Sequence, residues 1–547
     1  MKICCRSLFL IALLAAPIEN AWSLPIHAPR VKIDSGIVEG SPFGSDGHSG
    51  AFLGIPYAAA PTGALRWTPP RPVKRWQGIR ATKALGPSCP QQPEQYPHFW
   101  KVTVAALGGD PSGVPPLGAT SEDCLFLNVW TSNLTGRAKQ PVLVWIHGAG
   151  FIAGRGGDEA ALFAKSGVVV VTVNFRLGIL GFLVHPALSK ESPHNSSGNY
   201  GLLDQIEALR WVHRNIAAFG GDPNRVTVFG NSAGAAAVLY VLSSPLARGL
   251  IHGAIIQSLP GGAPFLNLSS AESAGQQMFK DLVPTGGGDQ VAAMRAASVD
   301  LLLAKNAAAP VGPIEDGWVV SNLGTETSLQ IPMIIGDNSN EFANLALLFP
   351  DRVPKTREGY RELLQQLGPP FADQLLATNQ ASSDEAVPAV ANKYLTDRDY
   401  VCASRYIAGK SEGRTWLYLL SAASATTSEG KQLGAFHGAD LRLLFNLDFG
   451  LPEGSAALRV GEIMRRYWVQ FAATGDPNDK GLPEWPRYHE SRPLPQYLML
   501  SDPMRAVPTD DKGTCAVLDE AWEAIPTVKI TRPRSLIEVI AARHRSK

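Results

Sequence analysis

Ser232 lies among very small residues, Gly230-Asn231-Ser232-Ala233-Gly234, within the stretch FGGDPNRVTVFGNSAGAAAVLYVLSS. A serine hydroxyl attacks a carbonyl carbon only when a base takes its proton, and the base is usually a histidine oriented by a carboxylate. The small neighbours have a steric reason. Residues 225–229 read as a strand and 235–242 as a helix, so Ser232 stands where a strand turns abruptly into a helix. At such a bend Gly230 and Gly234 remove side chains that would collide, and Ala233 stays small for the same reason. The hydroxyl is then presented at the positive N-terminal end of a helix, as in a G-x-S-x-G nucleophile elbow. The pattern recurs at Gly409-Lys410-Ser411-Glu412-Gly413. There a helical segment precedes and the strand-like RTWLYLL follows, so the turn runs the wrong way and Ser411 reads as a surface turn.

With the chain order serine, acid, histidine, the candidate bases are His252, His437, His489 and His544. His437 lies in the loop GAFHGADLRLLF with glycine on both sides, where an imidazole can reach outward. His252 opens the strand-like GAIIQS and reads as a strand-edge residue, His489 sits among charged loop residues, and His544 is in the tail. For the acid, Glu341 in IPMIIGDNSNEF comes just beyond the end of a buried strand, where active-site loops gather in sheets of this kind. Asp337 and Asp316 remain rivals on spacing alone. The small-residue loop in WIHGAGF can aim the backbone N–H groups of Ala149 and Gly150 at a substrate oxygen, with that of Ala233 as a third donor. Gly148, Gly150 and Gly154 also fit a dinucleotide loop or a plain tight turn, but a partner for the Ser232 elbow explains them better.

The elements that must position these residues follow from periodicity. PVLVWIHG and GVVVVTVNF are near-continuous β-branched runs, as strands buried on both faces should be. In GLLDQIEALRWVHRNIAAFGG, Leu202, Ile206, Leu209, Val212 and Ile216 recur at helical spacing, and Gly220-Gly221 stops the helix. Strands alternating with helices predict an α/β fold with a mostly parallel central sheet covered on both faces. The stretch from about 270 to 415 is helix-rich and reads as a cap insertion.

The bulk composition narrows the function. Of 547 residues, 45% are hydrophobic and 18% charged, as in a globular protein. A formal net charge of +1 offers no field for nucleic acid. The basic tail (Lys529, Arg532, Arg534, Arg543, Arg545, Lys547) reads as a solvated terminus. Lys2, Arg6, the apolar SLFLIALLAA and Ala21-Trp22-Ser23 form a secretory signal with cleavage after Ser23. The expected organisation is therefore a signal peptide at 1–23 and one domain at 24–547, with no membrane span, in a secreted or periplasmic protein. Cys89, Cys124, Cys402 and Cys515 remain after cleavage, and an even number in an oxidising compartment favours two disulfides. Their spacings resemble no zinc site, and neither metal nor cofactor is expected. Sequons at Asn133, Asn195 and Asn267 matter only in a glycosylating host.

Taken together, these segments resemble the type-B carboxylesterase and cholinesterase-like family of α/β-hydrolases from about residue 30 to 525. FGGDPNRVTVFGNSAG resembles its serine signature, and SEDCLFLNVW its second signature, with a departure at Ser132. VNFRLGILGFL, GNYGLLDQIEALRWVHRNIAAFGGDP and FAATGDPN are also family-like. The resemblance implies Ser232 as nucleophile, Glu341 as acid, His437 as base, and Ala149, Gly150 and Ala233 as oxyanion hole. It further implies Ser258 as a buried support, disulfides Cys89–Cys124 and Cys402–Cys515, and structural ion pairs Arg66–Glu122 and Arg176–Asp204. Ala149 and Leu259 stand where glycine is usual, and Asn231 where glutamate is usual. GVPPLGATSED lacks the aromatic that holds choline, so a quaternary-ammonium substrate is not expected. The function implied is hydrolysis of a small carboxylic ester, with a long-chain lipase or a non-catalytic binding protein as the alternatives. Uncharged Asn231 beside the nucleophile predicts tolerance of esters that carry a carboxylate. Oligomeric state is left open.

Overall fold

The computed structural model describes residues 28–524 and 534–535, apart from 45–47, 136, 158, 263, 283–288, 306–311, 322, 324–329, 423–432, 448–455, 489–494 and 510–512. The signal peptide expected at 1–23, His489 and His544 lie outside the described residues, as does most of the basic tail. Within that tail, Arg534–Ser535 pairs antiparallel with Pro264 and Phe265, so this part of it is not a free terminus.

Ten strands form the main sheet: β1 (Gly50–Pro56), β2 (Phe126–Thr131), β3 (Gln140–Ile146), β4 (Val169–Val173), β5 (Gly221–Asn231), β6 (Gly253–Gln257), β7 (Met333–Asn338), β8 (Thr415–Leu420), β9 (Gln496–Leu500) and β10 (Arg505–Pro508). Their spatial order is β10-β9-β8-β7-β6-β5-β3-β4-β2-β1. Every pairing from β4 across to β9 is parallel, and the pairings at both edges are antiparallel. Strand side chains alternate between faces, and the β-branched runs therefore feed two cores. Val142, Val144, Val171, Val228 and Ile335 pack on one face. Leu143, Trp145, Val170, Phe229 and Ile334 pack on the other.

Helices cover both faces. The ones that bear on the site are α1 (Gln95–Ala106), α2 (Tyr200–Asn215), α3 (Ala233–Leu242), α4 (Phe342–Leu348), α5 (Ala439–Leu444) and α6 (Ala456–Thr474). The expected apolar stripe of α2 is buried in the first core, and Gly220, at φ 83°, ends the short 3₁₀ turn that follows it. Val460, Met464, Trp468 and Phe471 of α6 line the second core. The helix-rich segment expected as a cap is interrupted by β7, which enters the sheet between β6 and β8. Because β3, β5, β6 and β7 are parallel, their last residues, Ile146, Asn231, Gln257 and Asn338, share one edge. Three of the four end on an amide. No helix among the described residues is long and apolar enough to cross a membrane.

Candidate active site

Ser232 is the single residue between β5 and α3, with φ 57° and ψ −124°. A non-glycine residue in that region costs on the order of 1–3 kcal/mol, and it persists only where the surroundings over-determine it. They do so here. The Ser232 N–H donates to the Gln257 carbonyl at 2.9 Å, and its own carbonyl accepts from the Ala236 N–H at 3.0 Å. A Cβ on Gly230 would lie 2.6 Å from the Gly234 backbone, and one on Gly234 would lie 2.3 Å from the Ile146 carbonyl. The steric reason for both glycines is therefore backbone contact within the elbow and with β3.

Glu341 follows β7 and His437 precedes α5. His437 Nδ1 and Glu341 Oε2 are 2.6 Å apart, and both side chains are buried. The second carboxylate oxygen, Oε1, accepts from the Asn338 N–H at 2.7 Å and from Asn338 Nδ2 at 3.1 Å. Asn344 of α4 holds the histidine by its backbone. The His437 N–H donates to Asn344 Oδ1 and Asn344 Nδ2 donates to the His437 carbonyl, each at 3.1 Å. Phe99 of α1 and Tyr400 flank the ring, with centroids 6.2 and 5.2 Å away.

Behind this pair lies a carboxyl that reading the sequence missed. Asp440, at the start of α5, accepts from the amides at the ends of three strands. Asn231 Nδ2 is 3.3 Å from both its oxygens, Gln257 Nε2 is 2.6 Å from Oδ2, and Asn338 Nδ2 is 3.3 Å from Oδ1. Burial pushes the Asp440 carboxyl up from its ordinary value, and the nearby Glu341 charge adds to this, against the Gln257 and Asn338 hydrogen bonds. The amide of Asn231, 3% exposed, is thus turned toward a buried carboxyl. Ser258 Oγ accepts from Asn338 Nδ2 at 3.1 Å, which places it in the same network.

On the other side of the elbow runs the loop after β3. Ala149, Gly150 and Phe151 are all left-handed, with φ of 71°, 68° and 62°. A Cβ on Gly148 would lie 2.6 Å from the Asn231 carbonyl and 3.4 Å from Ser232 Cβ, so the loop lies directly against the elbow. The structure therefore brings Ser232, Ala233, Ala149 and Gly150 to one edge of the sheet. Glu341 is tied to that edge through Asn338 at the end of β7, and His437 is tied to Glu341.

Comparison with known proteins agrees with this geometry. Residues 27–516 match the carboxylesterase family. The chain belongs to that family. Fumonisin B1 esterase of Sphingopyxis macrogoltabida is 37% identical over 502 residues, covering 86% of this chain and 87% of that protein. Cocaine esterase of Oryctolagus cuniculus is 32% identical over 505 residues, covering 87% of this chain and 90% of its own length. The solved structure of PNB esterase superposes with a TM-score of 0.73 at 27% identity, over 90% of this chain and all of that one. The protein is a carboxylic ester hydrolase of the α/β-hydrolase fold.

The remaining sequence candidates take other places in this esterase. Asp316 Oδ1 accepts from the N–H groups of Trp318, Val319 and Val320 and so shapes a loop. Asp337 is buried and accepts from Ser404 Oγ at 3.0 Å; burial and the Glu341 charge push its carboxyl well up. The His252 N–H donates to the Val226 carbonyl at the start of β6, a strand-edge role. Ser411 requires a correction. Its turn does run from helix to strand and lies at the surface, with Gly409, Glu412 and Arg414 exposed, but the serine itself is only 5% exposed because its Oγ turns inward and accepts from Thr415 Oγ1 at 2.8 Å. Arg176 and Asp204 form a two-point ion pair at 2.8 and 2.7 Å, as do Arg66 and Glu122 at 2.7 Å for both contacts. Disulfide bonds join Cys89 to Cys124 and Cys402 to Cys515.

Proposed function

We propose that this esterase works through an acyl-enzyme on Ser232. His437 Nε2 takes the Ser232 Oγ proton as Oγ attacks the ester carbonyl carbon. The oxyanion accepts from the N–H groups of Ala149, Gly150 and Ala233. Collapse breaks the bond to the alkoxide, which leaves as the alcohol with the proton held by His437. Water then attacks the acyl carbon with His437 again as base, and the acid departs. Glu341 orients the imidazole by accepting from Nδ1–H, which leaves Nε2 to face the serine, and it stabilises the imidazolium that forms. The 2.6 Å contact between His437 Nδ1 and Glu341 Oε2 carries this reading.

The same reading includes export. A signal peptide at 1–23 would precede one hydrolase domain at 24–547, and two disulfides fit an oxidising compartment. N-terminal sequencing of exported protein should begin at Leu24. The substrate is a small carboxylic ester; fumonisin B1 and cocaine, named for the relatives, join p-nitrophenyl acetate, butyrate and long-chain esters in a test panel. Ser232→Ala and His437→Ala should each lower kcat by about 10⁴-fold or more with the fold intact, and Ser411→Ala should leave it unchanged. Full turnover by Ser232→Ala would refute the mechanism. A preference for the long-chain esters would indicate a lipase, and wild-type inertness across the panel a binding protein.

A further inference from the structure

The loop that carries the proposed oxyanion donors cannot hold its own course. Three consecutive residues are left-handed, and two of them, Ala149 and Phe151, carry a Cβ. Upstream, the loop is anchored where Ile146 of β3 pairs with Val173 and Gly230. Its downstream end is Gly154, at φ +111°. A Cβ there would lie 2.3 Å from His147 Nδ1 and 3.1 Å from the Gly148 carbonyl, so the two ends of the loop are in contact. The His147 ring stacks on Phe175 at 4.3 Å, and Nδ1 lies 3.1 Å from the Gly148 carbonyl. Burial lowers the His147 pKa to about 4, so the ring is neutral and donates from Nδ1.

What fixes Gly154 is a side chain from another part of the chain. Gln91 is 1% exposed. Its Oε1 accepts from the Gly154 N–H at 2.8 Å, and its Nε2 donates to the Gly154 carbonyl at 2.8 Å. Both backbone groups of one residue are thus paired with one amide, as a neighbouring strand would pair them. Nε2 also donates to the Cys89 carbonyl at 3.1 Å, and Cys89 is bonded to Cys124.

We propose that Gln91 is a positioning residue for the oxyanion donors: its buried amide pins Gly154, and so sets the course of the loop that presents Ala149 and Gly150, from a base held by the Cys89–Cys124 disulfide. The inference rests on the assignment of those donors under the proposed function. Gln91 touches no reacting atom. Its effect is on geometry, and a displacement of about 1 Å at reacting groups can cost about 100-fold in rate.

The test uses the full chain, with active sites counted by a phosphonate. Gln91→Ala should lower kcat for p-nitrophenyl butyrate by about 10- to 100-fold with little change in KM. Affinity for a trifluoromethyl ketone should fall by the same factor, because its adduct with Ser232 places an oxyanion where the donors point. Gln91→Glu supplies the second measurement. An ionised carboxylate cannot donate to the Gly154 carbonyl, whereas a protonated carboxyl donates and accepts as the amide does. The ratio of variant to wild-type kcat should therefore rise as pH falls. A merely structural role would lower the melting temperature without this pH signature or the matched loss of ketone affinity. Wild-type kcat and ketone affinity in both variants, with Ser232→Ala inactive, would overturn this inference alone. Turnover by Ser232→Ala would instead remove the reading on which it rests.

Discussion

The two sides of Ser232 are held by different physics. On the side of the proposed acid and base, Glu341, Asp440 and Asp337 are buried carboxyls; the amides of Asn231, Gln257 and Asn338 donate to the first two, Ser404 donates to Asp337, and Asn344 clamps the His437 backbone. On the side of the proposed oxyanion donors, from His147 to Gly154, there are no carboxyls, and the order comes from left-handed backbone, a neutral buried histidine and one clamping glutamine. The first side stores its cost as desolvated charge, the second as backbone conformation. A substitution on the first side should therefore act through protonation and respond to pH. One on the second should act through geometry and leave pH profiles alone, unless it introduces a titrating group.

The strongest test of that contrast is Glu341→Gln. The shape is kept, but the amide no longer fixes the Nδ1–H tautomer of His437 or stabilises its cation. We expect kcat to fall about 10³- to 10⁴-fold with the melting temperature close to wild type. A loss under tenfold would show that the carboxylate does not orient the base.

Next comes a pair of glycines. Gly154 and Gly438 are both left-handed, at φ +111° and +84°, but an added Cβ meets His147 Nδ1 at 2.3 Å in the first and nothing closer than 3.4 Å in the second. Gly154→Ala should displace the oxyanion loop and lower kcat about 100-fold. Gly438→Ala, beside His437, should cost mainly backbone strain, about 1–2 kcal/mol of stability, with a much smaller change in kcat. Equal kcat losses would mean that the loop tolerates displacement.

A smaller effect is expected at Asn231. Asn231→Glu would set a carboxyl against Asp440 and near the bound ester. The kcat/KM for a carboxylate-bearing ester, relative to a matched neutral one, should drop about tenfold after screening, as expected for roughly 1–2 kcal/mol of repulsion. The drop should deepen as pH rises, because two adjacent carboxyls share a proton before both ionise. An unchanged ratio at every pH would remove Asn231 as a determinant of charge preference.

The smallest effect belongs to Asp337. Its carboxyl is raised by burial first and by Glu341 next. The folded state thus holds a proton that the unfolded chain has already lost. The stability this contributes is complete below the unfolded aspartate value and disappears as pH rises toward the folded one. Asp337→Asn keeps an oxygen for Ser404 to donate to and should add about 1 kcal/mol at pH 7. That gain should vanish near pH 4, as measured by denaturant unfolding at the two pH values. A gain independent of pH would assign the effect to packing instead.

Much of this was legible before any coordinates. The strands around Ser232, the apolar stripe of α2 and the elbow glycines follow from rules that act within a few residues: continuous apolar runs for strands buried on both faces, period-3.6 burial, and room for backbone at a bend. On spacing alone Glu341 was legible only as one of three acids, because Asp337 ends the same strand and Asp316, in a loop before it, satisfies the same chain order. The surface turn at Ser411 was legible, but the inward course of its side chain was not, because a hydroxyl looks the same in sequence whether it meets water or Thr415.

The sequence by itself determined the strand-to-helix turn at Ser232 and a mostly parallel sheet covered on both faces, since each depends on local sterics and on runs of apolar residues. Only the tertiary structure decided which amides serve the site. Asn231 reaches Asp440 across 209 residues, Asn344 reaches His437 across 93, and Gln91 reaches Gly154 across 63. An asparagine or glutamine carries the same donor and acceptor wherever it occurs. Its role is set by the group it meets once the chain has closed, and no local pattern encodes that meeting.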